Sequence, residues 1–476
     1  MKEYDYIVIG TGSAMNLVNP ILRRDPRTRM AIIDKDEPGG ICLTRGCIPS
    51  KILLYHADIV RAVEKASEFH IEAKITSIDF RSIMDRMRTD IHRDVENLGK
   101  GLRQSPNIDY YPVSAEFTSP YTLRAGEETI KGKTIFLCIG SKPLIPSIKG
   151  LRETPFLTSD SLLGMERLPP RLAIVGGGYI AAEYGHFFSA MGSKVTIIGR
   201  NPKFLPEEEP EVSALAKKKM QEHMTIITGH EVTEVSDTPN GRRLTAVNRA
   251  NGEMLEVTAD DILVAAGRAP NTDILHPERA GIKTDKNGWI AVNEYFETSQ
   301  HGVWAFGDAD GNYPFKHVAN YESILVYYNA VLGRRVKPSY HAVPHAVFSD
   351  PEIASVGLGQ KEAEERYRDG ILIGFHRYED TAKGSAMHAK DFFVKVIIEK
   401  QTQKILGAHV IGPHASILIQ EIINLMNTPD RASAPILTGM HIHPALSEVV
   451  ARAFEEPMSP QEYNHLLMEH HDLPTQ

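Results

Sequence analysis

The chain carries one local pattern twice, and that repetition limits its fold more than any other feature. Residues 4–15 read YDYIVIGTGSAM and residues 170–181 read PRLAIVGGGYIA, each an apolar β-run entering a glycine turn and then a helix-compatible stretch. The first glycines, Gly10 and Gly176, lie 166 residues apart, close to the length of one domain. A second apolar run follows each turn, Arg29-Met-Ala-Ile-Ile-Asp34 and Lys194-Val-Thr-Ile-Ile-Gly199. Both end about 20 residues past the turn, where a dinucleotide-binding βαβ unit places its ribose-reading residue. Two such units in one chain is the economical reading.

The turns themselves state a chemistry. Gly10 and Gly12 let the backbone approach a pyrophosphate, and the following helix supplies N–H groups and positive partial charge. Asp34 would accept hydrogen bonds from a ribose. Met15 stands where a third glycine is usual, so helix–strand contact there should be looser or shifted. The second turn, Gly176-Gly-Gly178-Tyr179-Ile180-Ala181, ends in the permitted alanine. Its second strand ends in Gly199-Arg200, without the acid of an NAD-selective site; a guanidinium there can pair with a 2′-phosphate. The reading favours NADPH, against the alternative that Arg200 is a solvated strand-end charge.

At 476 residues the chain has room for roughly three domains. The boundaries read as 1–149 and 150–275 for the two nucleotide units, 276–345 for a central segment, and 346–476 for an α+β unit without a fingerprint. Helical periodicity runs through Ile59, Val63 and Ala66, and again through Ile83, Met87, Ile91 and Val95; Pro143, Pro146 and Gly150 mark a linker. In the last unit, 346–348, 392–398 and 404–411 read as strands, and 415–427 and 445–455 as helices. His465, His470 and His471 read as a surface tail rather than a metal site. A net charge of −8 offers no basic excess for nucleic acid, and no apolar run reaches the ~18 residues of a membrane span. The N-terminus lacks the pattern of a signal peptide. Three cysteines build no disulfide framework and point to a reducing compartment, so a cytoplasmic protein is expected.

Two of those cysteines form the sharpest signal: Gly39-Gly40-Ile41-Cys42-Leu-Thr-Arg-Gly-Cys47-Ile-Pro49-Ser-Lys51. Pro49 suits the first turn of a helix, and a thiol at that N-terminus meets dipole charge that favours thiolate. A redox-active disulfide between Cys42 and Cys47 follows. A zinc site would want four ligands, and no second cysteine pair exists; two unpaired structural thiols are the plainer alternative. Cys138, alone in an apolar strand, reads as core. Farther on stands His441-Ile-His443-Pro444-Ala-Leu-Ser-Glu448. Pro444 can begin a helix with His443 just before it and Glu448 a little over one turn inside, where a carboxylate can fix the imidazole tautomer for proton transfer.

Taken in order, GTGS, GGICLTRGCIPSK, GGGYIAAE, AAGRAPN, TSQHGVWAFGD and HIHPALSE make the chain resemble the flavin-dependent pyridine nucleotide–disulfide oxidoreductases over nearly its whole length. The resemblance implies an α/β fold of two Rossmann-like domains, FAD in the first and NAD(P)H in the second, with the 276–345 segment completing the FAD domain and a C-terminal α+β dimerisation domain. It implies a homodimer with no metal, acting on a small dithiol or disulfide, protein-bound lipoyl groups included.

By motif position, Cys47 is the flavin-proximal thiol and Cys42 the interchange thiol, while Lys51 and Glu183 form the pair beside the flavin. His443 and Glu448 are the acid–base dyad, reaching the other subunit's site. FAD contacts fall on Gly10, Gly12, Ser13, Asp34, Lys35, Gly40, Ile41, Lys51, Ala115, Gly140, Ser141, Asp308 and His317. Those to NAD(P) fall on Gly176, Gly178, Tyr179, Ile180, Glu183, Arg200 and Gly267. Within the family, the absence of cysteine after Cys138 argues against mercuric and large thioredoxin reductases. HPALSE and CIPSK favour dihydrolipoyl dehydrogenase; Gly199-Arg200, Met15 and Lys316-His317-Val-Ala-Asn resemble NADPH-using mycothione-type reductases. The sequence reading is dihydrolipoyl dehydrogenase. The alternatives are a low-molecular-weight disulfide reductase and a docking subunit of an acyl-transfer complex.

Overall fold

A computed structural model of the chain describes residues 1–469; His470 and His471 lie outside the described residues. The first sheet runs in the order Ile108–Tyr111, Met30–Ile33, Lys2–Ile9, Glu128–Leu137, Thr122–Ala125, Ala115–Ser119, and the late Val303–Ala305 strand also pairs with Glu128–Leu137. Met30–Ile33 is wholly buried, as a central parallel strand covered on both faces should be. The second sheet repeats the plan with Thr225–Ile227, Lys194–Ile198, Arg171–Val175, Asp261–Val264 and Leu157–Thr158. A three-stranded meander over 230–259, unmarked in the sequence reading, is attached to it.

The C-terminal sheet is antiparallel, in the order Pro344–Val347, Ile353–Gly357, Ile405–Ile411, Phe393–Glu399, Ile371–Arg377. Two of its strands, Ile353–Gly357 and Ile371–Arg377, were not among those read from sequence. The two nucleotide-type units and the C-terminal α+β unit are thus as expected. Ser141–Pro143 in the expected linker is a strand, hydrogen-bonded antiparallel to Arg268–Pro270 where the chain returns. No helix among the described residues is long and apolar enough to cross a membrane.

The Cys47–Glu64 helix of the first unit packs along the Tyr179–Met191 helix of the second through Leu53, Leu54, Ala57 and Val60 against Ala182, Phe187 and Phe188. Each such buried aliphatic or aromatic side chain contributes about 1.5–3 kcal/mol. The face expected here, Ile59 with Val63 and Ala66, is corrected: Ile59 is exposed, and Ala66 falls beyond the helix in a 3-10 turn. The inward face was set by the neighbouring helix. The second periodicity agrees with the structure, with Met87, Ile91 and Val95 buried in the Phe80–Gln104 helix. The surface tail is also corrected: Pro460–Glu469 is a helix that buries Tyr463 and Leu467, with His465 exposed beside Glu469.

Tyr463 closes a buried polar cluster joining the second unit to the C-terminal sheet. Lys395, 1% exposed, donates to Glu209 at 2.5 Å, Glu211 at 2.6 Å and Gln360 at 2.8 Å. Although burial works the other way, the Lys395 ammonium holds Glu209 below the ordinary carboxylate range. Lys395→Met strands two buried carboxylates and should cost about 3–5 kcal/mol, read as a lower urea midpoint; an unchanged midpoint would show that the cluster does not need its cation.

Candidate active site

The glycine turns do what the repeat demands. Gly10 sits at φ +106°, and a Cβ there would stand 2.1 Å from the Cys138 carbonyl oxygen. Gly176, its counterpart, sits at φ +137° with the Ala265 carbonyl oxygen equally close, at 2.1 Å. Only glycine fits either place.

Beside the first turn opens a cleft. Of the expected residues, Gly10, Gly12, Ser13, Asp34, Lys35, Gly40, Ile41, Ala115, Gly140 and Asp308 line it, together with both Cys42 and Cys47. Three expected contacts do not. Ser141 stands behind the wall, donating to Asp308 at 2.5 Å and accepting from Arg268 Nε at 3.0 Å. Lys51 points to Glu183 instead. His317 is exposed, its Nε2 lies 2.8 Å from the Pro344 carbonyl and its ring stacks on Phe315, while its neighbour Lys316 enters the cleft. One helical step separates the two side chains, and the sequence block could not say which turned inward.

Asp34 is engaged from within: Oδ2 accepts from Thr11 N and Oγ1 at 2.8 and 2.5 Å, and Oδ1 from Asp36 N at 3.0 Å. In place of the third glycine, Met15 opens the Met15–Arg24 helix half-buried. Ser13 and Asn16 donate to Asn320 at 3.0 and 3.1 Å, tying this helix to the Lys316–Val326 helix.

Cys42 lies in the short Gly40–Thr44 helix and Cys47 is the first residue of the Cys47–Glu64 helix. Both thiols are free and hydrogen-bonded to each other. That bond, reinforced by the Lys51 charge and opposed by burial, brings Cys47 down to about 7. The same bond, with burial, pushes Cys42 well up. Cys138, read as core, is half-buried against the first unit's core and also lines the cleft, its thiol pushed up by desolvation. Between the pair, Arg45 reaches Asp36 at 2.5 Å and Asp160 at 3.2 Å, fastening the cysteine loop to both units. Sequence reasoning missed this clasp; a cation inside the loop was the available signal.

One turn into each helix, Lys51 Nζ donates to both Glu183 oxygens at 2.8 Å, and the Phe348 N–H donates to Glu183 Oε1 at 3.1 Å. Tyr179 begins the second helix, its ring centroid 6.5 Å from that of Phe315. Gly178 and Ile180 flank it in that same turn. Gly267, at φ +122°, accepts from Leu144 N at 2.9 Å where the two units cross. A Cβ on Gly199 would lie 3.3 Å from Gly177 Cα, so the strand end passes tightly behind the second turn. Arg200 is exposed and makes no ion pair among the described residues.

His443 Nδ1 lies 3.0 Å from Glu448 Oε1, and this hydrogen bond holds Glu448 below its ordinary value. The helix expected from Pro444 is corrected: it begins at Glu448, after turns closed by Glu448 N to Ala445 O and Val449 N to Leu446 O. The five-residue spacing nevertheless brings the two side chains together. The imidazole is 68% exposed, and among the described residues no hydrogen bond joins this segment to the cysteines within the protomer. Among the described residues, no cluster of three or more His, Cys, Asp or Glu is placed to hold a metal.

Residues 4–330 match the pyridine nucleotide-disulphide oxidoreductase model, and residues 343–454 match the dimerisation domain of the same family. The chain is 34% identical to mycothione reductase from Mycobacterium tuberculosis, over 95% of this chain and 99% of that protein. It is 33% identical to dihydrolipoyl dehydrogenase from Chlamydia muridarum, over 95% and 96%. Among solved structures it is similar to the Cu(II) complex of the HOCl-induced flavoprotein disulfide reductase RclA from Escherichia coli, with a TM-score of 0.84, 26% identity and 95% and 99% coverage. The glycine cradle and the Asp308 acceptor fit the FAD that this family uses with NAD(P)H. Two nucleotide-type sheets, a thiol pair on the first helix and a dimerisation domain belong together for one reason: the chain is a member of the FAD-dependent pyridine nucleotide–disulfide oxidoreductase family.

Proposed function

We propose that this protein reduces a small, low-molecular-weight disulfide with NADPH, through Cys42 and Cys47, in the cytoplasm. The observation that carries the reading is the thiol pair itself, mutually hydrogen-bonded in the cleft, with one member held near neutrality. FAD, when bound, supplies a two-electron relay between the nicotinamide and the dithiol. Gly10, Gly12, Ser13, Gly40 and Asp308 would hold it, and the Lys51–Glu183 pair would stand between the thiols and the nicotinamide side.

The thiols divide the work. Cys42, whose proton is held tightly, needs a base; His443 of the partner subunit, oriented by its own Glu448, takes that proton. The Cys42 thiolate attacks one substrate sulfur, breaking the substrate S–S bond and forming a mixed disulfide, and the expelled thiolate receives the proton back. Cys47, about half thiolate at neutral pH, then attacks the Cys42 sulfur and releases the second thiol, leaving a Cys42–Cys47 disulfide. NADPH restores the dithiol, so one nicotinamide and one proton are consumed for two thiols formed.

Preference for NADPH rests on Arg200, an exposed guanidinium without an ion pair among the described residues, beside a glycine packed too closely to admit a carboxylate side chain freely. The second reading, dihydrolipoamide oxidation, is favoured by the HPALSE block around the His443–Glu448 contact. Anaerobic rates with dihydrolipoamide and NAD(P)+ against NAD(P)H and a panel of small disulfides decide between them.

Cys47→Ser should abolish turnover in either direction, and retained disulfide reduction would reject the thiol mechanism. Alkylation of the reduced enzyme by iodoacetamide should rise with pH and reach half its limit near pH 7, because the reactive form of Cys47 appears as pH passes its value of about 7. Lys51→Met should move that midpoint upward; a midpoint near 9 in the unmodified enzyme would show that Cys47 is an ordinary thiol. Arg200→Glu should raise KM for NADPH by about 10- to 100-fold and leave that for NADH nearly unchanged; equal effects on both would remove the NADPH assignment.

A further inference from the structure

Three cationic side chains line the cleft: Lys35, Arg45 and Lys316. Asp36 pairs with Lys35 at 2.8 Å and with Arg45 at 2.5 Å, and Asp160 pairs with Arg45 as well. Lys316 alone of the three has no carboxylate partner among the described residues. Its Nζ donates to Ser13 Oγ at 3.0 Å, and Ser13 Oγ donates onward to Asn320 Oδ1 at 3.0 Å. A half-buried ammonium that donates to a neutral hydroxyl and has the Cys42 thiol, not a carboxylate, within its electrostatic reach is an arrangement that favours an anion beside it.

The position narrows what that anion is. Ser13 belongs to the Gly10–Ser13 turn and directly precedes Ala14, the cap of the Met15–Arg24 helix, so the positive end of that helix lies at the same turn. Lys316 is itself the first residue of the 11-residue Lys316–Val326 helix. One helix start and an ammonium without a carboxylate partner therefore meet at the one turn where Gly12 and Gly40 pass so closely that a Cβ on Gly40 would lie 2.6 Å from Gly12 Cα. A 2′-phosphate is read elsewhere, at the far strand end that carries Arg200.

We propose that Lys316 is a cofactor-binding residue whose ammonium pairs with the FAD pyrophosphate lodged at Gly12–Ser13. The assignment rests on the reading of this cleft as the FAD site. Ser13 positions the ammonium and Asn320 positions Ser13, so the contact is preformed rather than assembled around the cofactor. The bond is a charge-assisted one between an ammonium and a phosphate oxygen, of the kind whose loss weakens binding by about 10- to 100-fold.

The test compares wild-type, Lys316→Met and Lys316→Arg holoenzymes. FAD release in graded guanidinium is followed by flavin fluorescence, with circular dichroism reporting the fold; Lys316→Gln replaces the Met variant if that one does not fold. Lys316→Met should release FAD about 10- to 100-fold more readily, and Lys316→Arg, which keeps the charge, within a few-fold of wild type. A wild-type protein that binds no flavin would sink the cofactor reading itself. A Met variant that keeps FAD as tightly as wild type would leave that reading standing and overturn the role of Lys316. Unchanged FAD retention with a raised KM for the disulfide would move Lys316 to the substrate and overturn it equally.

Discussion

A carboxylate taken out of water must be given a cation, and Glu183, 4% exposed, finds its own in Lys51 on a helix of the other nucleotide unit. The pair sits four residues after Cys47 on one helix and four after Tyr179 on the other. Fixing it therefore fixes the starts of both helices, one bearing a redox thiol and the other opening the second glycine turn. Two further polar contacts repeat along the same seam, Asp58 with His186 at 3.0 Å and Arg61 with Ser189 at 2.8 Å. Apolar packing alone would tolerate sliding by a turn. A slide here would strand Glu183 and leave His186 and Arg61 without these partners, so the polar contacts set register while the leucines and phenylalanines supply most of the free energy.

What was legible in the sequence is what local chemistry dictates. Gly10 and Gly176 are forced by backbone approach, Met30–Ile33 by burial on both faces, and His443 with Glu448 by a spacing that tolerates more than one backbone path. What was not legible depended on neighbours. The Cys47–Glu64 helix carries apolar residues on its outer face as well, Ile48, Tyr55 and Ile59 among them, so periodicity alone could not choose the inward one. Ile353–Gly357 includes Ser355 and ends in glycine, and it becomes a strand because Ile405–Ile411 pairs with it. Arg45 meets Asp160 only after two domains have folded against each other.

The acidic run Glu207–Glu211 shows the same limit with charge. Such a run ordinarily reads as solvated, yet Glu208, Glu209 and Glu211 are all buried. Glu208 reaches His345 at 2.7 Å and Ser355 at 2.6 Å, and the other two share Lys395. Their partners His345, Ser355 and Lys395 all lie in the C-terminal sheet. The loop that starts at Arg200 is therefore anchored at its far end in another domain, and the geometry of the second nucleotide unit depends on that docking.

The remaining question is why a protomer with a dithiol should carry its imidazole elsewhere. Cys42 holds its proton firmly because Cys47 takes the favourable end of their shared hydrogen bond, so one thiol is activated at the expense of the other. On the proposed mechanism the disfavoured thiol is the one that meets substrate, and it needs a base from outside the pair. His443 stands on an exposed surface with Leu437, Met440 and Ile442 also uncovered, a grouping of apolar side chains that calls for a partner. A dimerisation domain that covers those side chains and delivers the imidazole in one act would couple assembly to catalysis. Covering the patch would leave the apolar contacts to stabilise the dimer, and the exposed Nε2 free to meet Cys42 across the interface.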